Sequence, residues 1–203
     1  MDVMAIEIRQ ARPNDRGPIA ELMYSSGMDV YRYLYGDQAI DYLEYEFASG
    51  EGFAGYRNVT VAVKDGTVVG TGCFYDGQRY PELIKGSLDN MVAFFDTKTI
   101  ETVMTNVGHT ASVMKPPREG ELYLSNFGVD QHYRSQGIGS QMIQQILEQA
   151  RRDNYSVFGL DVSDANPRGQ ALYTRLGLEV IEKKTFPIED AGIAPAYKME
   201  LVL

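Results

Sequence analysis

The segment that most constrains the fold runs from residue 121 to residue 162, where two strands flank a glycine-containing turn and a long amphipathic helix. Apolar residues recur at helical spacing over Ile138–Arg152, which predicts a helix with one buried face. Residues 157–162 form a short, nearly continuous apolar run, as expected for a strand inside a sheet. Strands and helices that alternate in this order predict a mixed α/β fold.

The first of these strands, Glu121–Val129, changes its pattern near its middle. Up to Leu124 the core-type residues occupy even positions, and from Phe127 onwards they occupy odd positions. A slip of one residue is what a β-bulge produces, and a bulge frees backbone N–H groups that could bind an extended ligand. An edge strand with an ordinary kink would show the same pattern, so the strand alone leaves both interpretations open.

A short run with two glycines follows, directly before the amphipathic helix. A helix N-terminus carries unpaired N–H groups and a partial positive charge, and it therefore attracts anions. Glycine removes side chains where a diphosphate must approach the backbone, and arginine adds a charged contact. A Walker A loop would need a lysine here, and a dinucleotide-binding loop would need a third glycine where this chain has Met142. The run predicts a pyrophosphate site, with a plain capping turn as the alternative, at Arg134, Ser135, Gln136, Gly137, Ile138, Gly139 and Ser140.

The rest of the chain supplies further strands and helices without repeats. Asp65-Gly66 is a strong hairpin signal, residues 12–15 have the composition of a loop and helix cap before the first helix, and Pro167 and Gly177 bound the last helix. Strands are predicted at residues 5–11, 59–63, 67–75, 121–129, 157–162, 178–184 and 196–203. Helices are predicted at residues 15–26, 37–48, 138–152 and 167–176, with two more between 80 and 114. We expect a single domain over residues 1–203: a mixed central sheet of about seven strands flanked by helices, with a helical insert at about residues 80–117 between the third and fourth strands.

Composition excludes several classes of function. The formal net charge is −9, which gives no attraction for nucleic acid and favours cationic substrates, although many cytosolic proteins are acidic for solubility alone. No apolar run approaches the ~18 residues of a membrane span, and the N-terminus lacks the features of a signal peptide. Cys73 is the only cysteine and lies in an apolar run, which indicates a buried, unreactive thiol. We expect a cytoplasmic protein with no nucleic-acid or membrane partner.

Residues 129–140 resemble the acyl-CoA signature of the GNAT N-acetyltransferases, in which Arg/Gln-x-x-Gly-x-Gly/Ala follows a bulged strand. A second similarity follows at Asn166-Pro167, at residues 171–173 and at residues 176–179. The resemblance implies the GNAT-like fold and acetyl-CoA as the acyl donor, with no metal. It also implies transfer to a primary amine by direct attack in a ternary complex. Residues 80–117 depart from the pattern, because the family usually joins these two strands by a short turn.

The resemblance also implies roles for individual residues. The backbone N–H groups of Phe127 and Val129 would face the pantetheine arm and the thioester carbonyl, and Asn166 would contact the pantetheine chain. Residues 134–140 would hold the pyrophosphate. Tyr173 would stand near the thioester sulfur, where its hydroxyl can protonate the leaving thiolate. Fixed N–H donors at the bulge would stabilise the charge that develops on the carbonyl oxygen.

A base must accept the proton of the attacking amine, and three residues are candidates. Glu121 is the foremost, because it alternates with Tyr123 and Ser125 on a strand face that often supplies the base in the family. Its alternative role is that of a solvated carboxylate at the end of a strand. His132 precedes the phosphate turn, and His109 lies in the insert, which would have to fold over the site.

Three functions are compatible with these observations. A catalytic acetyltransferase explains Tyr173, whereas a non-catalytic acyl-CoA-binding module would not need it. A phosphate-binding protein of another fold would leave the bulge unexplained. No motif identifies the acceptor, so small amines, amino acids, polyamines, antibiotics and protein amines all fit. The insert is either a wall of the acceptor site or a homodimer contact, and the tyrosines of residues 31–45 either line a pocket or pack helices.

Overall fold

A seven-stranded sheet forms the centre of the protein in a computed structural model that describes residues 6–15, 17–111 and 113–203. The strands are β1 (Glu7–Gln10), β2 (Val59–Lys64), β3 (Thr67–Tyr75), β4 (Glu121–Val129), β5 (Val157–Ser163), β6 (Glu179–Lys184) and β7 (Ala196–Val202). The helices are α1 (Ile19–Ser25), α2 (Met28–Tyr35), α3 (Ala39–Ser49), α4 (Tyr80–Phe94), α5 (Thr97–Thr110), α6 (Ile138–Arg152) and α7 (Pro167–Arg175). The predicted mixed α/β fold is therefore confirmed.

The strands are ordered β1-β2-β3-β4-β5-β7-β6, and the central pair, β4 and β5, is parallel. A parallel pair needs a long crossover connection, which α6 provides. The neighbouring pairs on both sides are antiparallel. Pairing of β4 with β5 runs from Glu121 opposite Val157 to Leu124 opposite Leu160 and then ends, although both strands continue. The second halves of the two central strands therefore separate.

The bulge that the sequence predicts in β4 is present. Between Thr71 and Cys73 the register shifts, so that Gly72 of β3 faces two residues of β4, Asn126 and Phe127. Asn126 has a φ of 53°, which marks the point where the strand bends. Side chains before and after the bulge consequently reach the same face of the sheet. Beneath α6 lie Leu122, Leu124, Phe127 and Val129.

Helices cover both faces of this sheet, as parallel strands require. The amphipathic helix α6 lies on one face with α7, and its bounds are those predicted from the sequence. Its predicted apolar stripe is largely the buried one: Ile138, Met142, Ile143, Leu147 and Ala150. Helix α1 lies on the opposite face against β3 and β4, with α3 packed beside it. Any ligand that passes between the separated strands therefore meets two different helical layers.

Two expectations near the N-terminus are wrong. Asp15 does not cap a helix, since α1 begins at Ile19; its carboxylate instead forms an ion pair with Arg9, with an N–O distance of 2.6 Å. Helix α2 has no counterpart in the sequence-based prediction, because much of its apolar surface consists of tyrosine and its N-terminal Gly27 offers no capping side chain. Tertiary packing stabilises α2 in place of local signals. Ala5, the predicted start of the first strand, lies outside the described residues.

The insert forms two helices, α4 and α5, as predicted, and they pack on α2 and α3 of the same chain. Tyr35 and Tyr42 lie in this cluster, with their ring centroids 4.5 Å apart, so these two tyrosines pack helices. Phe95 stacks on both rings. The buried members are Leu34, Tyr35, Ala39, Tyr42, Met91, Phe95 and Val103. These apolar side chains of the insert are thus covered without a second chain.

Two further expectations concern exposure. Cys73 is completely buried, as predicted, and burial raises the pKa of its thiol to about 12. Within the described part of the chain, no helix combines the length and the apolar character needed to cross a bilayer.

Packing of the insert on its own chain predicts unequal effects of two adjacent substitutions in α4. Met91 is 6% exposed and Val92 is 67% exposed. Met91→Ala should lower the free energy of unfolding by about 3 kcal/mol, because it leaves a cavity in the cluster that α4 forms with α2, α3 and α5. Val92→Ala is the matched control and should change stability by less than about 0.5 kcal/mol. Urea denaturation at two protein concentrations measures both; a Met91→Ala effect that depends on protein concentration would instead indicate a homodimer contact.

Candidate active site

The separation of β4 from β5 opens a cavity at the centre of the sheet. Four segments line it: the C-cap residue of α1, the bulged end of β4, the end of β5, and α7 with its N-cap residue. Its lining residues are Ser26, Leu124, Ser125, Asn126, Phe127, Leu160, Asp161, Val162, Asn166 and Tyr173. The structure therefore brings together three of the residues implicated by the sequence, Phe127, Asn166 and Tyr173. Val129 lies further along β4, in a separate apolar cluster beside the start of α6.

Hydrogen bonds from three segments hold the bulge in place. The Tyr31 hydroxyl donates to Asn126 Oδ1 at 2.6 Å, and Asn126 Nδ2 donates to the Phe53 carbonyl at 3.3 Å. Thr71 Oγ1 donates to the Asn126 carbonyl at 3.2 Å. Glycine leaves room opposite the bulge, since a Cβ on Gly72 would be in tight contact, 3.1 Å from the Phe127 ring. The bent strand is thus fixed by a side chain from α2, a backbone carbonyl from the loop before β2 and a side chain from β3.

The predicted phosphate turn leads into α6 with an exposed helix N-terminus. Gly137 is the N-cap residue with a φ of 83°, and among the described residues no side chain caps this helix end. A Cβ on Gly137 would find its nearest neighbour only at 4.0 Å, so the space above the first turn is open. Gly139 serves packing instead, because a Cβ there would lie 3.3 Å from Leu172 of α7. Free N–H groups and open space together suit an anion.

Three cationic side chains surround this turn. Arg134 donates from Nε to the Val129 carbonyl at 2.9 Å, which ties the turn to the end of β4. Arg168 of α7 donates to Ser135 Oγ at 3.4 Å, and Lys64 of β2 donates to Gln136 Oε1 at 3.2 Å. Sequence reasoning found Arg134 only. Lys64 and Arg168 are separated from the turn along the chain, and no local pattern marks them.

The two α7 residues differ in their surroundings. Asn166 caps α7, with its Oδ1 accepting a hydrogen bond from the Gly169 N–H at 2.9 Å, so its amide nitrogen can still serve a ligand. Tyr173 is 7% exposed, and its ring lies 6.4 Å from that of Phe127. Burial raises the pKa of the Tyr173 hydroxyl well above its ordinary value. The phenol therefore stays protonated at neutral pH and can act as a proton donor.

A second polar group lies on the other face of the sheet. Asp161 Oδ2 accepts hydrogen bonds from the Tyr123 hydroxyl and from Lys184 Nζ, each at 2.8 Å. Lys184 also donates to the Val113 carbonyl at 3.2 Å, which links the group to the end of the insert. The Ser125 hydroxyl lies beside Cys73 without a hydrogen bond of ordinary geometry. Sequence reasoning placed Tyr123 and Ser125 on this face and missed Asp161 and Lys184.

Glu121, the foremost candidate base from the sequence, lies at the opposite end of β4 from the bulge. Its side chain is 1% exposed and bonds Lys198 Nζ at 2.7 Å and the backbone N–H of Arg118 at 3.0 Å. Burial acts to raise the pKa of this carboxyl. Hydrogen bonds from Lys198 and Arg118 lower the pKa by more than burial raises it, so the net pKa lies below its ordinary value. A carboxylate that is both engaged and weakly basic is a poor proton acceptor, and this geometry favours a structural role.

The two histidines also occupy defined positions. His132 is exposed in the 3-10 turn Gln131–Tyr133, and its backbone N–H bonds Asp130 Oδ1 at 2.8 Å. His109 Nδ1 of α5 lies 2.7 Å from the Tyr33 hydroxyl, and the Tyr33 ring contacts Phe186 from the connection between β6 and β7. His109 thus joins the insert to α2 and does not line the cavity between β4 and β5.

The surroundings of Glu121 predict how stability depends on pH. Glu121→Gln should lower the free energy of unfolding by about 3 kcal/mol at pH 7, because it removes the nearer carboxylate partner of Lys198 and leaves, among the described residues, only Glu200, at 3.3 Å. Since the folded-state pKa of Glu121 is depressed, its contribution is present above the unfolded pKa of about 4.3 and is lost as pH falls through the folded value. Urea denaturation at pH 7 and pH 3 should show the deficit shrinking, with the exposed Glu119→Gln as control. A stable Glu121→Gln variant without turnover would restore the catalytic interpretation.

Comparison with known proteins identifies the family of this chain. The human N-acetyltransferase 8B is 30% identical over 95 residues, which is 47% of this chain and 42% of that protein, so the chain spans less than half of this relative. An N-acetyltransferase from Staphylococcus aureus Mu50 superposes with a TM-score of 0.74 at 20% identity, over 96% of this chain and all of that one. The PaiA N-acetyltransferase from Thermoplasma acidophilum, solved with coenzyme A, gives 0.55 at 12% identity over 98% and 100% of the two chains. These structures show a shared fold. The model of the acetyltransferase (GNAT) family matches residues 21–178, and the chain belongs to that family.

Proposed function

We propose that the protein is an N-acetyltransferase that transfers the acetyl group of acetyl-CoA to a primary amine. The observation that carries this proposal is the cavity between β4 and β5, which joins the bulge, Asn166 and Tyr173 to the polar groups of the other sheet face. A thioester in this cavity would meet backbone donors, a buried phenol and an approach for a nucleophile. A module that only binds acyl-CoA would need the backbone donors, but neither the phenol nor the approach for a nucleophile.

Acetyl-CoA binding is proposed to use both the open end of α6 and the cations around it. The helix N–H groups would hold the pyrophosphate over residues 137–140, and Lys64, Arg134 and Arg168 would add positive charge to a protein whose net charge is −9. The pantetheine arm would then run along the unpaired end of β4, past Phe127, Val129 and Asn166. That the T. acidophilum relative was solved with coenzyme A supports the same ligand here.

The proposed reaction is a direct transfer in a ternary complex. The amine lone pair attacks the thioester carbonyl, a C–N bond forms, and negative charge moves onto the carbonyl oxygen, where backbone N–H groups of the bulge would stabilise it. The C–S bond then breaks, the leaving thiolate takes a proton from the Tyr173 hydroxyl, and the tyrosinate regains a proton from solvent. The nitrogen loses one proton to solvent or to a base, which leaves an amide and CoA as products.

The acceptor is proposed to enter from the face covered by α1 to α5. The insert borders that face through two contacts, the Val113 carbonyl with Lys184 and His109 with Tyr33. We therefore favour the insert as a wall of the acceptor site over its alternative role in a homodimer. A thiol-release assay with acetyl-CoA and benzylamine, spermidine or L-alaninamide tests the function. If the protein binds CoA but none of the three amines causes thiol release, the non-catalytic module is favoured.

The proposed pyrophosphate site predicts a specific loss of CoA affinity. Gly137→Val places a branched side chain in the open space above the first turn of α6 and should weaken CoA binding at least about tenfold, or 1.4 kcal/mol. Gly66→Val is the matched control, because Gly66 has a φ of 76°, lies in the hairpin between β2 and β3 and has open space around it. Calorimetry on both folded variants should show a loss for Gly137→Val alone. Unchanged affinity in Gly137→Val would remove this site from the proposal.

Proton donation by Tyr173 predicts a loss of turnover without a loss of binding. Tyr173→Phe keeps the buried ring and removes only the hydroxyl, so kcat should fall by about 10²–10⁴-fold while CoA affinity stays unchanged. Tyr155→Phe is the control: Tyr155 contacts the same core cluster, but its hydroxyl donates to Asp76 at 2.8 Å, away from the cavity. Steady-state kinetics with the best amine of the panel measures both. Wild-type turnover in Tyr173→Phe would leave Tyr173 a packing residue.

A further inference from the structure

Unsatisfied polar atoms are concentrated at the cavity between β4 and β5. Among the described residues, three buried side-chain atoms have no hydrogen-bond partner, and two of them, Asp161 Oδ1 and Ser125 Oγ, belong to residues that line this cavity. Leaving such an atom unpaired costs about 1–3 kcal/mol, and more when the group is charged. A ligand with hydrogen-bond donors would supply what Asp161 Oδ1 lacks.

Asp161 is held in one orientation by its other oxygen. Oδ2 accepts from the Tyr123 hydroxyl and from Lys184 Nζ, both at 2.8 Å, while Oδ1 is left without a partner. The side chains of Asp161 and Lys184 are 22% and 13% exposed, so solvent screens this pair little. An ionised carboxylate oxygen only accepts hydrogen bonds, and the missing partner must therefore be a donor.

The position of Asp161 in the strand sets the direction from which that donor arrives. Asp161 is the first residue of β5 beyond its pairing with β4, which ends at Leu160. Its neighbours Leu160 and Val162 pack beneath α6 in the same cluster as Tyr173. Since side chains alternate along a strand, Asp161 points to the opposite face, where Tyr123 and Lys184 meet it. A carbonyl lying between the separated strands would thus have Tyr173 on one side and Asp161 on the other.

We propose that Asp161 binds the amine of the acceptor, with Oδ1 accepting a hydrogen bond from the amine nitrogen. This inference rests on the proposed acetyltransferase activity and adds the acceptor subsite to it. An amine supplies the N–H donor that Oδ1 lacks, whereas a carboxylate or phosphate would bring a second acceptor. Lys184 neutralises the carboxylate, so the subsite can hold an uncharged amine, the form that attacks, without leaving an unpaired buried charge. The nitrogen then approaches the carbonyl from the side away from Tyr173 and the leaving thiolate.

Substitution of Asp161 should separate the two substrates kinetically. Asp161→Asn keeps the size of the side chain and removes its charge, and KM for the amine should rise about tenfold or more while KM for acetyl-CoA and CoA affinity remain unchanged. Asp164→Asn is the matched control, since Asp164 pairs with Lys183 at 3.4 Å, next to the Asp161–Lys184 pair. Thiol release from acetyl-CoA with benzylamine, spermidine and L-alaninamide gives both KM values.

A double variant guards against loss of folding. If Asp161→Asn alone does not fold, Asp161→Asn with Lys184→Met removes both charges together, leaves no unpaired ion and should show the same rise in amine KM. An amine KM equal to that of wild type in a folded Asp161 variant would overturn this inference and leave the acetyltransferase function standing. Equal increases in both KM values would also overturn it, because they would indicate a structural role. A wild-type protein that binds CoA but releases no thiol with any of the three amines would overturn the acetyltransferase proposal itself.

Discussion

The β-bulge at Asn126 and Phe127 is the constraint on which the rest of the site depends. It ends the pairing of β4 with β5 at Leu124, in the middle of a sheet where continued pairing would otherwise satisfy the backbone. The lost interactions are partly replaced by the bonds that Asn126 makes to the Tyr31 hydroxyl and the Phe53 carbonyl. Helix α2 and the loop before β2 are thereby attached to the site. The bulge also leaves backbone groups unpaired at a place where the two helical layers can be reached together.

Local signals in the sequence predict those elements that local interactions stabilise. The bounds of α6 follow from its apolar spacing, and the hairpin at Asp65-Gly66 follows from two residues that both adopt positive φ. Helix α2 could not be predicted in this way, because its burial against the insert depends on residues far along the chain. The same holds within the site. The turn before α6 is predicted by consecutive residues in the sequence. Lys64, by contrast, contacts the turn from 72 positions away along the chain.

The two carboxylates on the α1–α5 face illustrate why residue type alone did not identify a functional acid. Glu121 and Asp161 are both partly or fully buried, and each is paired with a lysine. Both oxygens of Glu121 are engaged, by Lys198 on one side and by Arg118 on the other. Asp161 has one engaged oxygen and one free, which only the three-dimensional arrangement reveals. The proposal for Asp161 therefore rests on the number of carboxylate oxygens that already accept a hydrogen bond, which the sequence alone does not reveal.

The parallel pairing of β4 and β5 explains why donor and acceptor chemistry can occupy opposite faces. Because the crossover helix α6 joins two parallel strands, its N-terminus lies near the end of β4 where those strands have already separated. A ligand anchored at that N-terminus reaches the gap directly from the α6 face. The opposite face is closed by α2 and the insert, whose Tyr33 and His109 are joined at 2.7 Å. In the proposed binding mode, the insert enlarges the layer through which the acceptor would pass and leaves the proposed donor side unchanged, so acceptor selectivity would vary independently of acetyl-CoA binding.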